Sequence, residues 1–166
     1  LAVDKPLSLQ VPPTREQAQD GYRREDEAGI PPTDPSRNYR DSAHKPEMLF
    51  ALTPFEMMCG FRPIEVIREL LGGLRVAELD PLLGNLNCPD PEEAVRSALT
   101  AILTAEPWRQ QSVTRAVVSS AQARGGQRPE YRLACDLARR YPSDRGIVAS
   151  LFLNHLRIQP GESVVI

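Results

Sequence analysis

Apolar and polar positions change period several times along the chain. In LSLQV (7–11) they alternate: Leu7, Leu9 and Val11 project one way and Ser8 and Gln10 the other, as in a short strand with one polar face. Thr14 then stands three positions before Gln17, the spacing of a capping box, and predicts a helix through REQAQDGYRREDEAG. Its RREDE run reads as a solvated helix face. IPPTDPSRNYRDSAHKP, with four prolines, predicts a loop. It is long for a connection without secondary structure, and such loops are often functional.

EMLFALTPFEMMCGF is apolar and strand-like at its start. Pro63 suits the first turn of a helix whose apolar face is Ile64, Ile67, Leu70, Leu71 and Leu74, with Gly72-Gly73 weakening or ending it. Asp90 as cap, Pro91 at the first position and Glu93 closing the box predict another helix, with Ala94, Val95, Ala98, Leu99, Ile102 and Leu103 as its stripe. SVTRAVVSSAQA and PEYRLACDLARRY read as two more. LRIQPGESVVI returns to short strand-like runs around a Pro-Gly turn. No internal repeat appears. The order predicts an α+β fold with a helical block between β segments.

Composition narrows the function. The 166 residues can bury about two-thirds of their unfolded surface. Twenty basic and 22 acidic residues leave a net charge of −2, with no basic stripe interleaved with aromatics, which argues against nucleic acid as a partner. Aromatics are few, with a single Trp108. Cys59, Cys88 and Cys135 form no CxxC pair; they read as free thiols in a reducing, cytoplasmic setting. No apolar run approaches the ~20 residues of a membrane span. LAVDKP is not a signal peptide, and with no initiator Met the sequence reads as a piece of a longer chain. No obligate protein partner is evident.

The chemistry concentrates in HKPEM (44–48), where His44, Lys45 and Glu47 lie within four positions. Such a cluster can bind a metal and move a proton, or it can be an ordinary polar loop. A partly desolvated lysine can lose its proton and serve as a base. On the 7–11 strand, the residue beside Gln10 on the polar face is Pro12, which offers no ligand atom and no N–H. His155 reads as packed between strands or half exposed. Arg37 and Arg40 could meet a phosphate but read as fixing the loop by salt bridges.

LAVDKPLSLQV, GYRREDEAGIP, RNYRDSAHKPEMLFALTPFEMMCGFRP and RYPSDRGIVASLFLNHLRIQPGE together resemble the type I mannose-6-phosphate isomerases. The likeness runs in family order from residue 1 to 166, strong over 1–63 and 140–163 and loose between. It implies a zinc-dependent enzyme on a cupin-type antiparallel jelly roll with an inserted helical domain. The jelly-roll part would cover 1–63, the insert 64–142, and the return to the jelly roll 143–166. The implied reaction interconverts mannose 6-phosphate and fructose 6-phosphate through a cis-enediol. Carried over residue by residue, the metal ligands are Gln10 and Glu47, the proton carrier is Lys45, His44 helps open the sugar ring, and Ser8 contacts substrate. Where the family has a ligand histidine, this chain has Pro12, and a second ligand histidine of the family lies further along than Ile166. The expectation is weak metal binding and no useful isomerase activity from this chain alone. A non-catalytic, sugar-phosphate-binding or partner-binding cupin remnant is the alternative reading.

Overall fold

The computed structural model describes Val3, residues 5–124 and residues 128–166. In chain order the elements are α1 (Arg15–Glu27), β1 (Met48–Phe50), β2 (Phe55–Phe61), α2 (Ile64–Leu74), α3 (Asp80–Asn85), α4 (Pro91–Leu103), α5 (Pro107–Ala123), α6 (Pro129–Arg140), α7 (Gly146–Ala149), β3 (Leu153–Ile158) and β4 (Ser163–Val165), with 3-10 turns at Ala77–Leu79 and Ser150–Phe152. The fold is α+β, as the order of patterns predicts. The chain divides into two compact units.

The larger unit takes the residues up to Leu7 and Glu56–Arg157. Its core is the apolar stripe of α2 packed among the other helices; Ile67, Leu70, Leu71, Leu74 and Phe152 are all essentially inaccessible to solvent. Pro63 caps α2 rather than entering its first turn, and Gly72-Gly73 does not stop it: the helix runs to Leu74 and ends at Arg75, whose φ of 54° is left-handed. Gly73 has a different reason. A Cβ there would sit 2.7 Å from the Tyr131 hydroxyl, which donates to the Leu70 carbonyl at 2.8 Å. The missing side chain lets α6 reach the backbone of α2.

The cap of α4 departs from expectation. Asp90 accepts from the Glu92 amide at 3.0 Å, while Glu93 pairs with Arg96 one turn on instead of reaching back to close a box. Helix α5 starts at Pro107, ahead of the predicted SVTRAVVSSAQA segment, and α3 and α7 are short helices that the periodicity does not signal. Strand β3 pairs with β2.

The smaller unit takes Ser8–Phe55 and Ile158–Ile166. Thr14 and Gln17 form the predicted box at the start of α1, each bonding the other's amide, at 3.2 and 2.9 Å. Strand β4 pairs antiparallel with β1, with Met48 opposite Val165 and Phe50 opposite Ser163. The two runs of LRIQPGESVVI are therefore not a hairpin: they join different partners across the turn at Gly161, where φ is 91°. Gly161 and Glu162 lock that turn to Ala51, at 2.8 and 2.9 Å.

Residues 7–11 are a correction. They form no strand, and Leu7, Leu9 and Val11 are exposed. Alternation alone does not satisfy a strand's backbone groups; a ladder partner does, and none of the described strands pairs with this segment.

Candidate functional site

All five sequence-predicted site residues fall in the smaller unit. Ser8 and Gln10 lie, exposed, on the irregular segment before α1, and Pro12 is exposed beside them. His44, Lys45 and Glu47 lie on the loop between α1 and β1, with His44 half-buried and the other two exposed.

Two anchors hold that loop. At its far end, Glu47 joins the ribbon through its backbone: the Ile166 amide donates to the Glu47 carbonyl at 2.9 Å, and the Glu47 amide points back to the Ile166 carbonyl at 3.4 Å. The Glu47 carboxylate is thereby set at the mouth of β1 with its side chain in solvent. At its near end, Glu25 of α1 accepts the amides of Asn38 and Tyr39, at 3.1 and 2.8 Å. Those amide bonds, led by Tyr39, hold the Glu25 carboxyl below the usual glutamate range. Buried Arg37 faces Asp26 at 2.7 Å and Glu25 at 3.6 Å, so the expected ion pairs form at Arg37, whereas Arg40 is exposed. RREDE is thus only partly a solvated face: its two central acids hold the loop.

Between the anchors, Asp41 organises the chemistry-bearing residues. Lys45 donates to its Oδ2 at 2.8 Å and the Ala43 amide to its Oδ1 at 3.0 Å. Lys45 first, then Ala43, keeps the Asp41 carboxyl below the usual aspartate range. Sequence reading did not single out Asp41; its place four residues before Lys45 was the available signal. At the start of α1 the Glu16 carboxyl is lowered mainly by its own amide and by the Thr14 hydroxyl.

His155 lies in the other unit, on β3. Its Nε2 is 3.2 Å from Glu56 of β2, which also accepts from Arg157 at 3.0 Å. The half-exposed, strand-packed reading of that histidine describes it.

Whether these residues suit a metal is a matter of donors. Among the described residues, no three His, Cys, Asp or Glu side chains gather closely enough to hold one ion. Gln10 and Glu47 are two donors, and Pro12 adds none. A catalytic zinc takes about three protein ligands plus water, so the set present does not fit one.

Comparison with known proteins gives one consistent likeness. The chain is 36% identical over 167 residues to the mannose-6-phosphate isomerase of Escherichia coli (strain K12), covering 99% of this chain and 41% of that protein. Residues 1–64 match the family described as phosphomannose isomerase type I, catalytic domain. The first 64 residues thus resemble the catalytic domain of the type I phosphomannose isomerases, and the whole chain is similar to part of mannose-6-phosphate isomerases. Its likeness extends to the mannose-6-phosphate isomerase of Macaca fascicularis, 32% identical over 180 residues, 99% of this chain and 40% of that one. A zinc-bound crystal structure of a mannose 6-phosphate isomerase superposes over the whole chain and 41% of its own, with a TM-score of 0.87 and 29% identity. The Salmonella typhimurium enzyme bound to fructose 6-phosphate and zinc does so with a TM-score of 0.85 and 28% identity, over 100% and 41%. The chain thus spans about 41% of the length of the phosphomannose isomerases first matched. The resemblance drawn from the NYRD and HKPE segments is borne out at the level of family and fold.

Proposed function

We propose that this chain carries the proton-handling part of an aldose–ketose isomerase that interconverts mannose 6-phosphate and fructose 6-phosphate. The observation that supports it most is the loop of 38–47, anchored at both ends, which presents His44, Lys45 and Glu47 from one short segment within the stretch that matches the catalytic-domain family. Isomerisation through a cis-enediol needs one group to take the proton from C2 and return it to C1, and Lys45 is the group for that transfer. It donates to Asp41 in this structure, so accepting a proton requires it to leave that carboxylate. His44 assists ring opening by proton exchange with the ring oxygen and the anomeric hydroxyl. Ser8 meets the substrate, towards its phosphate end.

Related structures contain zinc, a cation that would supply stabilisation of charge on the sugar oxygens were it held here. Gln10 and Glu47 are the donors this chain offers towards it. The sugar phosphate is the proposed partner. Three unpaired thiols support a cytoplasmic setting, and no helix among the described residues is long and apolar enough to cross a membrane. The domain reading of 1–63, 64–142 and 143–166 as jelly roll, helical insert and return belongs to the same proposal. A second reading, a sugar-phosphate binder without turnover, is favoured by Pro12 and by the incomplete donor set.

Zinc titration by calorimetry separates them. The chain should bind weakly, Pro12→His should bind at least tenfold more tightly, and Glu47→Ala should abolish the gain. A Pro12→His variant no tighter than the parent, or indifferent to Glu47→Ala, would refute the ligand assignment and leave the non-catalytic reading.

A further inference from the structure

Arg37 is a charged side chain with no access to solvent, set in the middle of an irregular loop. Burying a guanidinium is costly unless nearly all its donors are met. Here they are. Its Nε donates to the Tyr39 carbonyl at 2.8 Å, one terminal nitrogen to the Ile30 carbonyl, and the other to the Tyr22 carbonyl at 3.4 Å. Asp26 and Glu25 face it from α1, and its Cζ lies over the Tyr22 ring, 4.6 Å from the ring centre. One side chain thus ties the last turns of α1 to both ends of the 30–39 segment.

A buried ion pair is weak evidence of stability, because apolar residues of similar volume often replace it at no loss. What a guanidinium supplies is direction: a planar set of donors that only one arrangement of carbonyls satisfies. The carbonyls it selects fix Tyr39. Two residues on, Asp41 takes up Ala43 and Lys45. The 40–46 stretch then has little freedom, since its other end is set by the Glu47–Ile166 pairing.

We infer that Arg37 is a positioning residue for His44, Lys45 and Glu47, acting through Tyr39 and Asp41 by the direction of its hydrogen bonds rather than by its charge. The role in catalysis rests on the isomerase reading above; the positioning itself does not.

The test uses this chain with Arg37→Ala, Arg37→Lys and Glu25→Gln, the last loosening the same loop from the α1 side. Amide exchange by mass spectrometry and side-chain NMR of His44 and Lys45 are the readouts; neither needs metal or sugar phosphate. Both Arg37 variants should speed exchange over 38–47 at least tenfold while α4, α5 and α6 keep their protection, and Glu25→Gln should do so more weakly over the same residues. The His44 and Lys45 signals should move to random-coil positions. Guanidinium ion at tens of millimolar should restore protection to Arg37→Ala and not to Arg37→Lys, whose ammonium occupies the site. Wild-type behaviour of Arg37→Lys would overturn the inference, because charge alone would then suffice. Unchanged exchange in all three variants, or equal loss across the whole chain, would overturn it as well. Failure of the zinc titration would leave these outcomes untouched.

Discussion

Gly21 offers a test in which two known effects oppose each other. It lies in the interior of α1, where replacing glycine by alanine ordinarily stabilises a helix by about 0.8–1 kcal/mol. In this fold a Cβ at residue 21 would stand 2.5 Å from the Tyr39 ring, with two further ring atoms at 2.6 Å. The ring cannot simply swing aside at no cost, because its backbone amide is bonded to Glu25 and its carbonyl to Arg37. Forcing a methyl into such a contact costs about 1–3 kcal/mol. Gly21→Ala should therefore be neutral to destabilising, by roughly 0–2 kcal/mol, from the difference of those two terms.

The sign should reverse once the ring is gone. On a Tyr39→Ala background the clash disappears and only helix propensity remains, so Gly21→Ala should stabilise α1 by about 0.8–1 kcal/mol. Native-state amide exchange over α1 and over 38–47 reads both backgrounds locally, without assuming that the two units unfold together. The coupling in this double-mutant cycle should fall at about 1–3 kcal/mol. An equal stabilisation by Gly21→Ala in both backgrounds would refute the packing of Tyr39 on α1, and with it the near anchor of the 38–47 loop.

Two further outcomes follow from the same structure. Glu25 is held below its ordinary value of 4.5 by the Tyr39 and Asn38 amides, so its contribution to loop order is complete above that pH and is lost as pH falls through the lower folded value; exchange over 38–47 should accelerate below pH 4.5, and Glu25→Gln should flatten that dependence. Leu70 is wholly buried in the core of the helical unit, so Leu70→Ala should cost about 2–5 kcal/mol in denaturant unfolding while exchange over 38–47 stays as in the parent.

What the sequence disclosed depended on how local each signal was. The capping box of α1 and the apolar face of α2 need only their own residues, and both are found as read. The pairing of β3 and β4 with separate partners depends on β1 and β2, about a hundred residues earlier, and no feature of LRIQPGESVVI carries it. The same holds for LSLQV, whose alternation describes a face but not the neighbour a strand requires. In the candidate site, HKPE was legible as one segment, and the structure presents Lys45 and Glu47 from it, both exposed. Its supports were not: Glu25 and Asp26 read as solvent-facing because α1's own periodicity places them there, and only the fold brings Arg37 against them.

That division bears on how a loop of this length can be ordered at all. Twenty residues without a helix or strand would cost most of their backbone entropy to order, of order 1 kcal/mol or more per residue, and hydrophobic burial within the loop is slight. The order comes instead from a few directional bonds placed at intervals: Arg37 and Glu25 at 37–39, Asp41 at 43–45, and the backbone of Ile166 at 47. No interval between them exceeds four residues, too short a span to wander far. Mutations at the anchors and at the chemistry-bearing residues should therefore differ in kind. An anchor variant should release the whole stretch, whereas Lys45→Met should remove the proposed proton carrier and leave exchange over 38–43 close to that of the parent, because Asp41 keeps its bond to the Ala43 amide.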